Sequence, residues 1–189
     1  MSTITANLSL APDLELLYLP DFIAAQAELL DALVAEVAWD ERMRARRTAC
    51  FGVPYAYSGI DYAARPLPPA IAGLCERAAE VLGERPNSAL LNLYADGRSR
   101  MGFHRDAEDQ LAPGTGVTVI SLGCARTLAF RRDDPAGEEV GLRLAPGSLL
   151  HMPRASQRAW RHGVRREEGV GARISVTLRR LLPRAVGSQ

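Results

Sequence analysis

The stretch Leu90–Asp106, LLNLYADGRSRMGFHRD, decides how this chain folds. An apolar run, LLNLY, is broken by ADG, and a second short segment closes on His104-Arg105-Asp106. Short apolar runs bounded by Gly and Asp are how the strands of antiparallel sheets read. His104 and Asp106 are two apart, so on an extended backbone both side chains leave the same face and can share one cation. The chain holds three histidines, so a third ligand of the same chemistry is His151 or His162.

Toward the C-terminus, strand-like runs follow at Ala89–Tyr94, Val117–Leu122, Thr127–Arg131, Val140–Leu144, Ser148–Met152, Ala159–Val164 and Arg173–Leu182. Gly, Pro and Asp clusters separate them, the pattern of an antiparallel sandwich or barrel. Toward the N-terminus the period changes. Leu8–Leu19 reads as one or two short strands, and from Phe22 to Val37 apolar residues recur at helical spacing, with Asp21 as the N-cap. Pro69 opens a second helix that Gly83 stops after Leu82. Glu41–Thr48 and the aromatics Phe51, Tyr55, Tyr57 and Tyr62 read as a loop-rich stretch, or as a half-buried hairpin. Helices followed by strands predict an α+β fold, a double-stranded β-helix (jelly roll) core with the N-terminal helices packed on one sheet. One domain is expected over 1–189, with an N-terminal part over 1–87, the core over 88–182 and a tail over 183–189.

Composition bounds the function. The chain is 47% hydrophobic and 24% charged, and no apolar run approaches the ~20 residues that cross a bilayer. The first residues lack the basic and apolar regions of a signal peptide, so the expectation is a cytoplasmic monomer without membrane contact. Cys50, Cys75 and Cys124 are odd in number and far apart, which argues against a disulfide framework or a CxxC zinc site. There is no Lys, and all 23 basic residues are Arg from position 42 onward, where they meet 14 of the 22 acidic residues. A field of planar guanidinium groups suits phosphate backbones; the plainer reading is that these Arg residues solvate the surface.

Two His and one carboxylate on one face of a metal form the facial triad of non-haem Fe(II) oxygenases, which leaves positions open. In oxygenases of this type the open positions take 2-oxoglutarate, a dianion. Arg173 and Arg179 lie six apart in ARISVTLRR, hence on one face of a strand. If that face is buried they need anionic partners; if it is the surface, they need none.

Asn92-Leu93-Tyr94 with Gly97, then His104-x-Asp106, then Trp160-Arg161-His162, then Arg173 to Arg179 resembles, in this order, the AlkB family of iron- and 2-oxoglutarate-dependent nucleic-acid dealkylating dioxygenases, in its DNA-repair branch. The resemblance spans about residues 46–182. It implies that His104, Asp106 and His162 bind Fe(II), that Arg173 pairs with the distal carboxylate of 2-oxoglutarate and that Arg179 lies near the carboxylate at the metal. Asn92 and Tyr94 would contact the same co-substrate, Glu108 would lie near the damaged base, and Tyr55, Tyr57 and His104 would wall an extruded base. Residues 1–87 would include the nucleotide-recognition part. The implied reaction consumes O2 and 2-oxoglutarate and removes the methyl of N1-methyladenine or N3-methylcytosine in DNA as formaldehyde.

This chain departs from the resemblance at Ser175, where many such proteins carry Asn, and at Trp39, the nearest candidate for a wedge into a base stack, which Asp40 and Glu41 follow. His151 has no place in the family pattern. Two other functions fit the same residues: the same oxygenase chemistry on RNA or a small molecule, and a non-catalytic nucleic-acid-binding β-domain.

Overall fold

The computed structural model describes residues 6–55, 62–135 and 137–182. Eleven strands among these residues make two antiparallel sheets. The larger runs β1 (Ala6–Ala11), β2 (Leu14–Leu19), β9 (Leu149–Met152), β6 (Val117–Gly123), β11 (Arg173–Arg179), β4 (Ser88–Tyr94) and β3 (Arg47–Gly52) in that spatial order. The smaller runs β5 (Met101–His104), β10 (Trp160–Val164), β7 (Arg126–Arg132) and β8 (Glu139–Leu144). The architecture is mostly antiparallel sheet with few helices, and it fits the jelly roll expected for the core.

Strand parity sorts the two faces of the large sheet. On β4 and β11, Ala89, Leu91, Leu93, Ile174, Val176 and Leu178 share a cluster with Leu33 of α1 (Gln26–Glu36) and with Ile71, Leu74, Cys75 and Ala78 of α2 (Pro69–Leu82). The alternate residues turn the other way. Leu90 and Tyr94 join Leu128, Phe130, Trp160 and Val164 of the small sheet in a second cluster. Because β11 lies between β4 and β6, its Arg173, Ser175, Thr177 and Arg179 stand opposite Tyr94, Asn92, Leu90 and Ser88. A row of polar side chains therefore lines the space between the sheets.

The N-terminal part is less helical than expected. Strands β1 and β2 extend one edge of the large sheet and β3 forms the other. The first helix starts later than the periodicity predicts, at Gln26 after Ala25, and Asp21 does not cap it. Ile23 donates its N–H to Gly147 O at 2.8 Å, which holds this segment as a turn against the sheet. The second helix runs Pro69–Leu82 as read, with Pro at its start and Gly83 at φ 73° at its end.

Candidate metal centre

Register brings two imidazoles together. β10 runs antiparallel to β5 with His162 directly opposite His104, and the ring centroids are 4.4 Å apart. Asp106 lies just beyond the end of β5 and is 3% exposed. One donor atom from each of His104, Asp106 and His162 lies within 4.8 Å of the other two. His151 stands elsewhere, on β9, with Nδ1 at 2.9 Å from Thr118 Oγ1.

The protonation states suit ligation. His104 Nδ1 is 3.0 Å from Gly102 O, so that nitrogen carries the proton and Nε2 keeps its lone pair. Burial lowers the His104 pKa, and burial with His104 alongside brings His162 down to about 3. Both rings are neutral at neutral pH. Burial alone would raise the Asp106 carboxyl, but Arg179, His162 and His104 together hold it at about 2.

The two oxygens of Asp106 are used differently. Oδ1 accepts from Arg179 Nε at 2.9 Å, from Arg179 Nη2, and from the Tyr55 hydroxyl at 3.2 Å. Oδ2 has no hydrogen-bond partner among the described residues and lies 3.6 Å from His162 Nε2. A buried carboxylate oxygen without a donor is costly unless a cation meets it.

A cavity opens beside this triangle between the sheets, lined by His104, His162, Asn92, Tyr94, Arg173 and Arg179 among others. At Arg173, 1% exposed, Nε donates to Ser121 Oγ at 2.8 Å and the guanidinium sits 5.3 Å from the Tyr94 ring centre. Its Nη1 has no hydrogen-bond partner among the described residues. Burial pushes this guanidinium below its ordinary pKa, as expected of a cation waiting for an anion. An unmet carboxylate oxygen by the imidazoles, and an unmet guanidinium nitrogen in the pocket that those imidazoles line, fit a divalent metal and a dianionic chelator together.

The other expected residues fall into place unevenly. Asn92 lines the cavity, but its Oδ1 accepts from Arg46 Nε at 2.7 Å and its Nδ2 reaches Ser175 Oγ at 3.4 Å. Tyr55 is 2% exposed with its hydroxyl on Asp106, so it supports the carboxylate and presents no open wall to a base. Tyr57 lies outside the described residues. Glu108 lies on a 3-10 turn, paired with Arg154 at 3.1 Å and near Arg158 at 3.7 Å. Trp39 packs against the helix-side cluster and donates to Val34 O at 3.3 Å.

Two buried arginines escaped the sequence reading. Arg46 hid in a run of arginines expected to face phosphates. Arg126 is fully buried and donates to the carbonyls of Asp96 (3.2 Å), Ser99 (3.0 Å) and Arg165 (2.6 Å), with its guanidinium 5.7 Å from the Tyr94 ring centre. Its signal was present: Arg126 shares strand parity with the inward Leu128 and Phe130. It joins the turn at Gly97 to the loop after β10, and these two loops touch so closely that a Cβ at Gly97 would meet Glu167 O at 1.8 Å.

A family model for the 2OG-Fe(II) oxygenase superfamily matches residues 15–179. The DNA oxidative demethylase ALKBH2 of Mus musculus is 36% identical over 140 residues, covering 70% of this chain and 59% of its own length. Its Homo sapiens counterpart is 33% identical over 139 residues, 69% of this chain and 53% of that protein. Alpha-ketoglutarate-dependent dioxygenase alkB homolog 3 of Rattus norvegicus is 30% identical over 175 residues, 82% of this chain and 59% of that protein. The chain thus spans somewhat more than half the length of these relatives. The solved structure of OsALKBH1 superposes with a TM-score of 0.65 over 94% of this chain and all of that one, at 14% identity, which establishes a shared fold.

Proposed function

Because this chain belongs to the 2OG-Fe(II) oxygenase superfamily, we propose that it is an AlkB-type dioxygenase that oxidatively demethylates bases in nucleic acid, with Fe(II), 2-oxoglutarate and O2 as its requirements. One observation carries the reading. A single cavity reaches from His104 and His162, which form a tight triangle with Asp106, to the buried guanidinium of Arg173.

His104, Asp106 and His162 would hold the iron, and Arg173 with Tyr94 would take the distal carboxylate of 2-oxoglutarate. Bound there, iron would supply the O2 activation that couples decarboxylation of 2-oxoglutarate to succinate with hydroxylation of an N-methyl group, which would be lost as formaldehyde. The chain's own residues do the rest. Arg179 neutralises Asp106, Tyr55 orients it, and the apolar side chains Leu90, Val119, Leu128 and Val164 keep water from the pocket.

The finer substrate reading is DNA carrying N1-methyladenine or N3-methylcytosine, with Glu108 and Tyr57 at the base. The printed functions of the ALKBH2 relatives and the Arg-rich sequence support it. Among the described residues no helix is long and apolar enough to cross a membrane; we add to the proposal a monomer working in the cytoplasm, which size-exclusion chromatography and imaging of a tagged chain would check. The decisive assay supplies Fe(II), 2-oxoglutarate and ascorbate with methylated oligonucleotides, DNA and RNA, single- and double-stranded, and follows base masses. Loss of a methyl from DNA is expected. No demethylation of any substrate would overturn the proposal, and demethylation of RNA alone would move the substrate.

A further inference from the structure

We infer that Gln157 is the residue that positions Asp106 for the metal, a role that rests on the metal-centre reading above. It sits on α3 (Arg154–Ala159), a short helix between β9 and β10 that is fastened on two sides. On one side Ser156 Oγ donates to Glu15 O at 2.7 Å, and Trp160 Nε1, just past the helix, donates to Pro12 O at 3.3 Å. These bonds tie α3 to the β1–β2 hairpin. On the other side it grips the segment beyond β5: Gln157 Oε1 accepts the Asp106 N–H at 3.3 Å, and Arg154 Nη2 donates to Glu108 O at 2.8 Å.

Asp106 belongs to no strand, so its N–H has no ladder partner and Gln157 supplies the acceptor. The next N–H, of Ala107, donates to the Tyr55 hydroxyl at 3.2 Å. Two successive backbone groups are therefore held by side chains that come from opposite ends of the sequence. With the backbone fixed there, Oδ1 meets Arg179 while Oδ2 is left for a cation.

Packing alone does not explain a glutamine at this place. Gln157 is 2% exposed, and its Nε2 has no partner in a tight space formed with Leu14, Phe130, Met152, Trp160 and His162. An apolar side chain of equal length would fill that space with no unmet amide. What such a side chain lacks is the oxygen that holds Asp106. Residues that orient metal ligands from behind in this way set metal affinity by about 10- to 100-fold.

The test titrates the metal-free chain with Mn(II), reading free ion by electron paramagnetic resonance, and follows urea unfolding of the same metal-free samples. Gln157→Met should bind Mn(II) about 10-fold more weakly than wild type. Ser156→Ala, which loosens α3 at its other attachment, should lower the urea midpoint and leave Mn(II) affinity unchanged. Should Gln157→Met not fold, Gln157→Asn, which keeps the amide but withdraws its oxygen by one carbon–carbon bond, is expected to show the same loss. Wild-type affinity in the folded Gln157 variant, or an equal loss in Ser156→Ala, overturns the role of Gln157 and leaves the metal centre standing. A wild-type chain that does not take up Mn(II) overturns the metal centre, and this inference with it.

Discussion

Arg173 and Arg179 stand on one strand, six residues apart and facing the same way, and their surroundings differ in kind. Arg179 is committed within the protein: it pairs with Asp106 and lies 4.2 Å over the Tyr55 ring. Arg173 is held by Ser121 and the Tyr94 ring and pairs with no carboxylate among the described residues. The first is the counter-ion of a metal ligand, and the second waits for a ligand from outside. Equal parity on a strand thus says which residues face a pocket, and the partner of each says which of them the protein has already spent.

The comparison breaks most readily at Arg179. Arg179→Met leaves Asp106 charged, buried and without its cation, and should cost about 3–5 kcal/mol in urea unfolding; a loss under about 1 kcal/mol would mean that Arg179 is not the counter-ion. Arg173→Met should behave in the opposite way. It removes a buried cation with an unmet donor, so the metal-free chain should keep its stability, while 2-oxoglutarate binding measured by calorimetry weakens by the about 1.5–3 kcal/mol of a charge-assisted contact. Equal effects of the two variants on stability would erase the distinction.

Acid should act on the Arg179 end. The His162 pKa is depressed to about 3 from the ordinary 6.5, so the unfolded chain takes a proton there before the folded one does. Stability present above pH ~6.5 is then lost progressively as pH falls toward about 3. Asp106, held at about 2 rather than 3.8, adds a loss below pH ~4. In a pH series of thermal unfolding, His162→Gln should flatten the upper part of this decline; an unchanged slope would argue against a neutral, buried His162. The smallest effect belongs to Tyr55→Phe, which removes the bond to Asp106 Oδ1 and the acceptor for Ala107, at about 1–2 kcal/mol of stability. No change there would detach Tyr55 from the carboxylate.

Legibility followed how local each signal was. The parity of ARISVTLRR placed Arg173 and Arg179 together, and Pro69 and Gly83 marked the second helix, because each lesson sits within one segment. β5 was missed because four residues, MGFH, give too little alternation, and β3 because an arginine run masked it. The Gln157 contact with Asp106 and the Asp106 pair with Arg179 join residues 51 and 73 apart in sequence, which no local pattern records. Arg126 was overlooked because charge was read as surface, although its place in the inward series of β7 marked it as buried.

Arg126 has a consequence for traffic. By fastening the Gly97 turn and the loop after β10 through three carbonyls, it braces the Arg173 end of the cavity, where Arg173 and Tyr94 are both buried. Of the cavity's lining, the half-buried His104 and Met101 are the side chains that meet solvent. On the proposed reading, a dianion that pairs with Arg173 passes one of these two side chains on its way in.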